Sequence, residues 1–302
     1  MQIAILTGSA GFVGQNVVRR LLNSGVQVIG LDYRCTPEQE AQDGFMWINV
    51  ANCSYTEIMM ELQNLNLDKD ETVFYHFAWA FSSGVGQTLD EPQLSNVQTS
   101  IEYAKICKML QLSKFVFIDS IISKELAFTM LNPHATAKSK YAYAAAKYCA
   151  KVMTQNLFND TPVVFCVMSL AQVYAGDDLT GNFVSKYIRL MKEGAEIDFS
   201  SSEQLRDFVH VTDVAQAAEK IGARGENNFD YWVGSGNAQP LKNFILEMNR
   251  ATGDKGTLNF GAIKTDEVSM PLSVFDISDL RKIGYEPSVK FSEGVRAIFE
   301  DK

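Results

Sequence analysis

Up to about residue 170, short and almost uniformly apolar runs alternate with longer runs whose apolar positions recur every three or four residues. MWINV (46–50), ETVFYHFAW (71–79), KFVFIDS (114–120) and TPVVFCVMSL (161–170) predict buried strands. YTEIMMELQNL (55–65), QLSNVQTSIEYAKICKML (93–110) and SKYAYAAAKYCAKVMTQNLF (139–158) carry the helical period. Such alternation predicts an α/β fold with a parallel sheet covered on both faces. Beyond residue 172 the pattern loosens, glycines and acids become more frequent, and the helical runs shorten. The expected division is 1–172 and a smaller α/β region, 173–302, laid over the carboxyl edge of the sheet, with some of its segments returning to the first unit. The chain shows no internal repeat and no low-complexity linker.

The opening run MQIAILTGSAGFVGQNVVRRLL passes from an apolar strand through a glycine loop into an amphipathic helix. This context is that of a Rossmann-type, doubly wound dinucleotide-binding unit. Gly8 permits the tight turn, Gly11 lets backbone N–H groups approach a pyrophosphate, and Gly14 permits close packing of helix on strand. Phe12 and Val13 share that loop-to-helix junction. The next apolar run ends at Asp32, about 20 residues on, where a carboxylate accepts hydrogen bonds from the adenosine ribose. That favours NAD; Arg34, able to pair with a 2′-phosphate, leaves NADP as the alternative.

Tyr143 and Lys147, in YAYAAAK, stand one helical turn apart on one face. An ammonium beside a phenol lowers a pKa otherwise near 10, which suits a tyrosine that takes and returns a proton. Behind a dinucleotide loop, the pair points to hydride transfer at a carbinol carbon.

With 302 residues, 46% of them hydrophobic, the chain is long enough for one large or two unequal domains. A net charge of −9 argues against a general nucleic-acid or anionic-membrane surface. No apolar run approaches the roughly 20 residues of a membrane span, and no leader pattern precedes the first strand. The five cysteines are odd in number and scattered, without a C-x-x-C pair, which reads as reduced thiols in a cytoplasmic protein without a metal. His76 has no second histidine beside it and reads as a packed side chain.

The chain resembles the extended short-chain dehydrogenase/reductases, specifically the NAD-dependent epimerase/dehydratase family acting on nucleotide sugars. The resemblance runs through TGSAGFVG, LDYR, HFAWA, Asn96 in QLSNVQTS, KFVFIDS, YAYAAAK, VYAGDD, RDFVHVTDVA, YWVGSG and FDISDLRKIGYEP. It implies that Ser120, Tyr143 and Lys147 are catalytic, with Lys147 also holding the nicotinamide ribose. It implies that Asn49 and Val50 flank adenine and that Phe77 and Ala78 wall the cofactor. Gln172, Asn182, Arg206 and Lys264 would meet a nucleotide-diphosphate sugar, with Arg206 on the diphosphate and Asp266 near Lys264. Asp207 and Asp213 read as structural. A homodimer is implied through the helices around residues 93–110 and 139–158, where Ile101, Ala104, Leu110, Ala146 and Val152 have suitable spacing; packing within the monomer would explain the same residues.

The departures bear on the reaction. Dehydratases of this family carry an Asp-Glu pair after the position of Ser120, where this chain has Ile121 and Ile122, so 4,6-dehydration is not expected. Asp119 replaces a common serine, and Ser169, Gln172 and Ala175 replace the arginine, asparagine and glycine of the R-x-x-N-x-Y-G pattern. The leading expectation is a nucleotide-sugar epimerase acting at a ring carbon, C4 first, with bound NAD. The alternatives are an NAD(P)H-dependent 4-ketoreductase, which HFAWAFSSG and the altered pocket favour, and a non-catalytic dinucleotide sensor.

Overall fold

The computed structural model describes residues 1–131, 141–176, 182–264 and 270–300. Five strands open the chain in alternation with helices: β1 (Ile3–Thr7), α1 (Phe12–Asn23), β2 (Gln27–Asp32), α2 (Pro37–Glu40), β3 (Phe45–Asn49), α3 (Tyr55–Asn64), β4 (Thr72–His76), α4 (Asp90–Leu110) and β5 (Lys114–Ser120). Then come α5 (Ile121–Met130), α6 (Tyr141–Phe158), β6 (Val164–Leu170), β7 (Gln172–Tyr174), α7 (Phe183–Lys192), β8 (Glu196–Phe199), β9 (Leu205–Arg206), β10 (Phe208–His210), α8 (Val211–Arg224) and β11 (Phe229–Val233). The chain closes with β12 (Gln239–Pro240), α9 (Leu241–Ala251), β13 (Thr257–Phe260), α10 (Ser278–Lys282) and α11 (Phe291–Glu300).

Seven strands form one parallel sheet in the order β11-β6-β5-β4-β1-β2-β3, with helices on both faces. Because both faces are covered, the central strands are buried almost throughout: all five residues of β4 and six of seven in β5 are buried. Successive residues serve opposite cores, as the period of two requires. Ala4, Leu6, Tyr75, Val116 and Ile118 join one cluster with α1 and α8, while Ile5, Phe74, Phe115 and Phe117 join another with α3, α4 and α6. Lys114 Nζ donates to the carbonyls of Ile221, Gly222 and Gly225, each at 2.9 Å. It thereby satisfies the open carboxyl end of α8 and ties that helix to β5.

A third cluster, of Val184, Ile188, Phe199, Phe208, Phe244, Phe291 and Val295, is built by α7, α9, α11, the paired strands β8 and β13, and the first residue of β10. Between its segments the chain crosses back: α8 packs in the first core and β11 adds the edge strand beside β6. Two carboxylates fasten these crossings. Asp207 accepts from Trp232 Nε1 (3.1 Å) and Ser235 N (3.1 Å); Asp213 accepts from Ser288 N (2.9 Å) and Val289 N (3.1 Å). Both act as structural acceptors. Tyr285, in GYEP, donates its buried hydroxyl to Gly234 O at 2.7 Å. Among the described residues, no helix is long and apolar enough to cross a membrane.

Candidate active site

The parallel sheet points its carboxyl ends one way, and the expected dinucleotide residues gather there. β1 and β2 pair in register, as do β2 and β3, so that Asp32 lies opposite Asn49; β1 and β4 pair so that Thr7 lies opposite His76. Gly8 has φ +70°, a left-handed conformation, and a Cβ there would come within 2.8 Å of Ala78 N. A methyl on Gly14 would overlap the Gly8 carbonyl oxygen. Gly11 caps α1 without a side chain, so the first-turn N–H groups, those of Phe12 and Val13 among them, form a helix N-terminus of the kind that suits an anion.

Asp32 is buried, with one carboxylate oxygen accepting from Ala10 N at 3.0 Å and the other from Arg34 N at 3.4 Å. Arg34 Nη2 donates to Ala10 O at 3.3 Å, so an acid and a cation both border the loop. Asn49 is exposed and accepts from Ala51 N at 2.9 Å, while Val50 packs at the margin of the second core. The N–H groups of Phe77 and Ala78 donate to Thr7 O (3.2 Å) and Thr7 Oγ1 (3.1 Å), closing β4 against the glycine loop. His76 is packed: its two ring nitrogens meet Thr7 Oγ1 and Ser100 Oγ, both at 2.9 Å, and burial drives its pKa down to about 3.

Ser120 ends β5 and starts α5, its hydroxyl accepting from Ile122 N at 3.3 Å as an N-cap. The same hydroxyl lies beside the Tyr143 phenol. Lys147, one turn on in α6, donates from Nζ to Ile118 O at 2.8 Å. Ser120, Tyr143 and Lys147 are thus brought together at the end of β5. In the folded chain, burial outweighs the expected lowering of the phenol. Tyr143 is raised, because burial penalises the phenolate, and the neighbouring Ser120 hydroxyl only partly offsets this. Burial also takes Lys147 down to about 7, with Asp119 opposing the drop. With exposures of 6% and 4%, both side chains lose water that would solvate their charged forms. An i, i+4 spacing reveals proximity and not desolvation.

Three features around the triad were not anticipated from the sequence. Asp119 Oδ1 accepts from Ser120 N (2.8 Å) and Ser123 Oγ (2.5 Å), while Oδ2 pairs with Lys151 Nζ at 2.9 Å. This fully buried carboxylate locks the end of β5 to α6. Trp79 lies against Lys147, whose Nζ is 3.8 Å from the indole centroid. Ser120 also nucleates α5, whose Glu125 pairs with Arg206 Nη2 at 2.9 Å. A serine followed by IISKEL is a readable cap-and-helix signal; the partners of the other two arise from tertiary contact.

The expected substrate residues are dispersed. Gln172 opens β7, its N–H donating to Asp207 O at 3.1 Å, and its buried Oε1 accepts no hydrogen bond among the described residues. Asn182 caps α7, accepting from Ser185 N at 2.9 Å, so its carbonyl serves the helix. Arg206 donates to Leu205 O at 2.8 Å besides its pairing with Glu125, so its guanidinium is already engaged by a carboxylate. Lys264 is exposed after β13, on the β8–β13 side of the molecule and not on the sheet that carries Ser120. Asp266, and Asp177 and Asp178 of VYAGDD, lie outside the described residues.

Comparisons with known proteins agree with this geometry. Residues 4–234 match the model of the NAD dependent epimerase/dehydratase family. The chain is 23% identical to the CDP-abequose synthase of Salmonella muenchen, over 99% of this chain and 97% of that protein. It is also 23% identical to the UDP-glucose 4-epimerase of Mycolicibacterium smegmatis, over 98% and 97%. Among solved structures, the Thermus thermophilus UDP-glucose 4-epimerase in complex with NAD superimposes with a TM-score of 0.76 at 19% identity, covering 99% of this chain and 98% of that one. The doubly wound sheet, the glycine loop at its switch point and a family match over more than three-quarters of the length together make this chain a member of the NAD dependent epimerase/dehydratase family.

Proposed function

We propose that the protein is a nucleotide-sugar 4-epimerase, with NAD as the dinucleotide on the Gly8–Gly14 loop and Tyr143 as the acid/base. The observation that carries this reading is the convergence of Ser120, Tyr143 and Lys147 at the end of β5, beside a loop built for a pyrophosphate. Bound NAD would supply the acceptor and donor of hydride. Ser120 orients the ring hydroxyl. Tyr143 takes its proton as the C–H bond gives up hydride, and returns the proton when hydride comes back to the other ring face. Lys147 holds the ribose hydroxyls, and Asp32 accepts from the adenosine ribose. The unpartnered Gln172 Oε1 supplies a buried acceptor for substrate. Ile121 and Ile122 offer no acid or base for dehydration. The outer faces of α4 and α6 are the proposed dimer contact.

A second reading, one-way reduction of a 4-keto nucleotide sugar, is favoured by two observations. The raised Tyr143 is a neutral phenol ready to donate a proton to a developing alkoxide. Arg34 borders the loop, and a guanidinium there suits the 2′-phosphate of NADPH. Similarity to the CDP-abequose synthase makes CDP-sugars, as well as UDP-sugars, the substrates to try.

The deciding experiment denatures the purified protein and identifies any dinucleotide released. NAD near one per chain, with interconversion of 4-epimers, supports epimerisation. Empty protein that oxidises NADH or NADPH only with a 4-keto sugar replaces it with reduction. In either reaction Tyr143→Phe is expected to keep dinucleotide affinity and to lose turnover by about 10²–10⁴-fold; near-normal turnover removes Tyr143 from the chemistry.

A further inference from the structure

Within HFAWA, Trp79 is employed by neither the glycine loop nor proton transfer. Its indole is half-buried and lies over Lys147, whose ammonium is 3.8 Å from the ring centroid and whose side chain is buried beneath it. The same indole meets Tyr143 edge-on, with centroids 6.0 Å apart and planes at 79°. Its placement is built and not incidental. Trp79 Nε1 donates to Gln93 Oε1 at 2.9 Å, and Gln93 Nε2 donates to Phe81 O and Gly86 O, both at 3.1 Å. One turn along α4, Asn96 clips Ala80 from both sides, accepting from its N–H at 2.9 Å and donating to its carbonyl at 2.8 Å. Two amides of α4 therefore hold the loop after β4 so that the indole face meets the lysine.

A protonated lysine has three N–H donors. One goes to Ile118 O at 2.8 Å, and the side facing Trp79 meets the electron-rich face of an indole, the aromatic ring best suited to a cation. We propose that Trp79 is a positioning residue, holding the Lys147 ammonium between the ends of β4 and β5 so that its remaining donor is aimed at a cofactor hydroxyl. This rests on the reading of Lys147 as a cofactor residue. The other groups around Lys147 are Asp119 at the end of β5, the neutral His76 on β4 and the Phe117 ring, 5.4 Å from the ammonium, with Tyr143 and Lys151 one turn away in either direction along α6. Asp119, Lys151 and His76 keep their contacts in a Trp79 variant, while Tyr143 loses the indole edge it meets and keeps its place one turn from Lys147 on α6.

The test begins on the ligand-free protein with lysines labelled with ¹³C at Cε, titrated by NMR, the Lys147 signal being the one lost in Lys147→Met. Replacing the ring with a saturated side chain, Trp79→Leu or Trp79→Met, removes the partner of the charged form. The Lys147 midpoint is then expected to fall by about one pH unit, whereas Trp79→Phe, which keeps a ring face, stays near wild type. NAD affinity measured by calorimetry is expected to follow, weakened about tenfold at pH 8 in the Leu variant and hardly at all at pH 5, where the lysine is charged in every form. A Lys147 midpoint in folded Leu and Met variants that coincides with wild type overturns the proposal. A midpoint that shifts as expected, with NAD affinity indifferent to Lys147→Met, instead overturns the assignment of Lys147 to the cofactor.

Discussion

His76 shows what a single residue's surroundings decide. Its hydroxyl partners, Thr7 and Ser100, come from β1 and α4, and its folded-state pKa is about 3 against an ordinary value of 6.5. Between those values the unfolded chain binds the proton that the folded chain refuses, so stability rises with pH across that window. The contribution is fully present above pH 6.5 and is lost as pH falls toward 3. Urea unfolding is expected to show about 3 kcal/mol less stability from this group at pH 4.5 than at pH 7, and His76→Gln to flatten the slope. An unchanged slope in that variant assigns the acid sensitivity to carboxylates elsewhere. The sequence allowed His76 to be read as packed, because no second histidine accompanies it. Neither Thr7 nor Ser100 is close enough along the chain for their bonds to be foreseen.

At the scale of elements, β5, α5 and α6 meet through one buried carboxylate. Asp119 serves Ser120 N, Ser123 Oγ and Lys151 Nζ at once, and Lys151 reaches on to Asp230 of β11 at 3.5 Å. Asp230 in turn pairs with Lys124 at 2.9 Å and is held below the usual carboxylate range, burial being outweighed by the two lysines together with the Ser169 hydroxyl. Breaking such a buried pair from one side leaves an uncompensated charge and costs about 3–5 kcal/mol. Lys151→Met is therefore expected to lower the unfolding midpoint sharply, and the double change Lys151→Met with Asp119→Asn to recover part of the loss. A midpoint unmoved by the single change removes the pair from the lock between strand and helix. The strand KFVFIDS and the helix YAYAAAKYCAK were both legible from period alone. That Asp119 and Lys151 face one another follows only from the crossing of α6 over the end of β5.

For the whole molecule, dimer formation depends on which face of α4 and α6 remains uncovered. Of the residues expected from spacing, Ala104, Leu110 and Ala146 are buried within the monomer, and only Val152 is exposed, at 47%. Tyr148, a turn before it, and Met153 are also exposed, as is Leu94 at 68% on α4. A dimer through this face is expected to be seen by sedimentation, and Val152→Glu with Met153→Glu to yield monomers. A wild-type monomer, or a dimer indifferent to both charges, would place the contact elsewhere or nowhere. The sequence by itself determined the parallel sheet, the glycine loop and the Tyr143–Lys147 pair, because strand and helix periods and turn residues act over a few neighbours along the chain. Only the tertiary structure decided that burial raises the tyrosine and lowers the lysine, that Glu125 occupies Arg206, and that Trp79 covers Lys147. Desolvation and cross-chain pairing depend on which distant segments exclude water from a side chain, and spacing along the chain does not encode that.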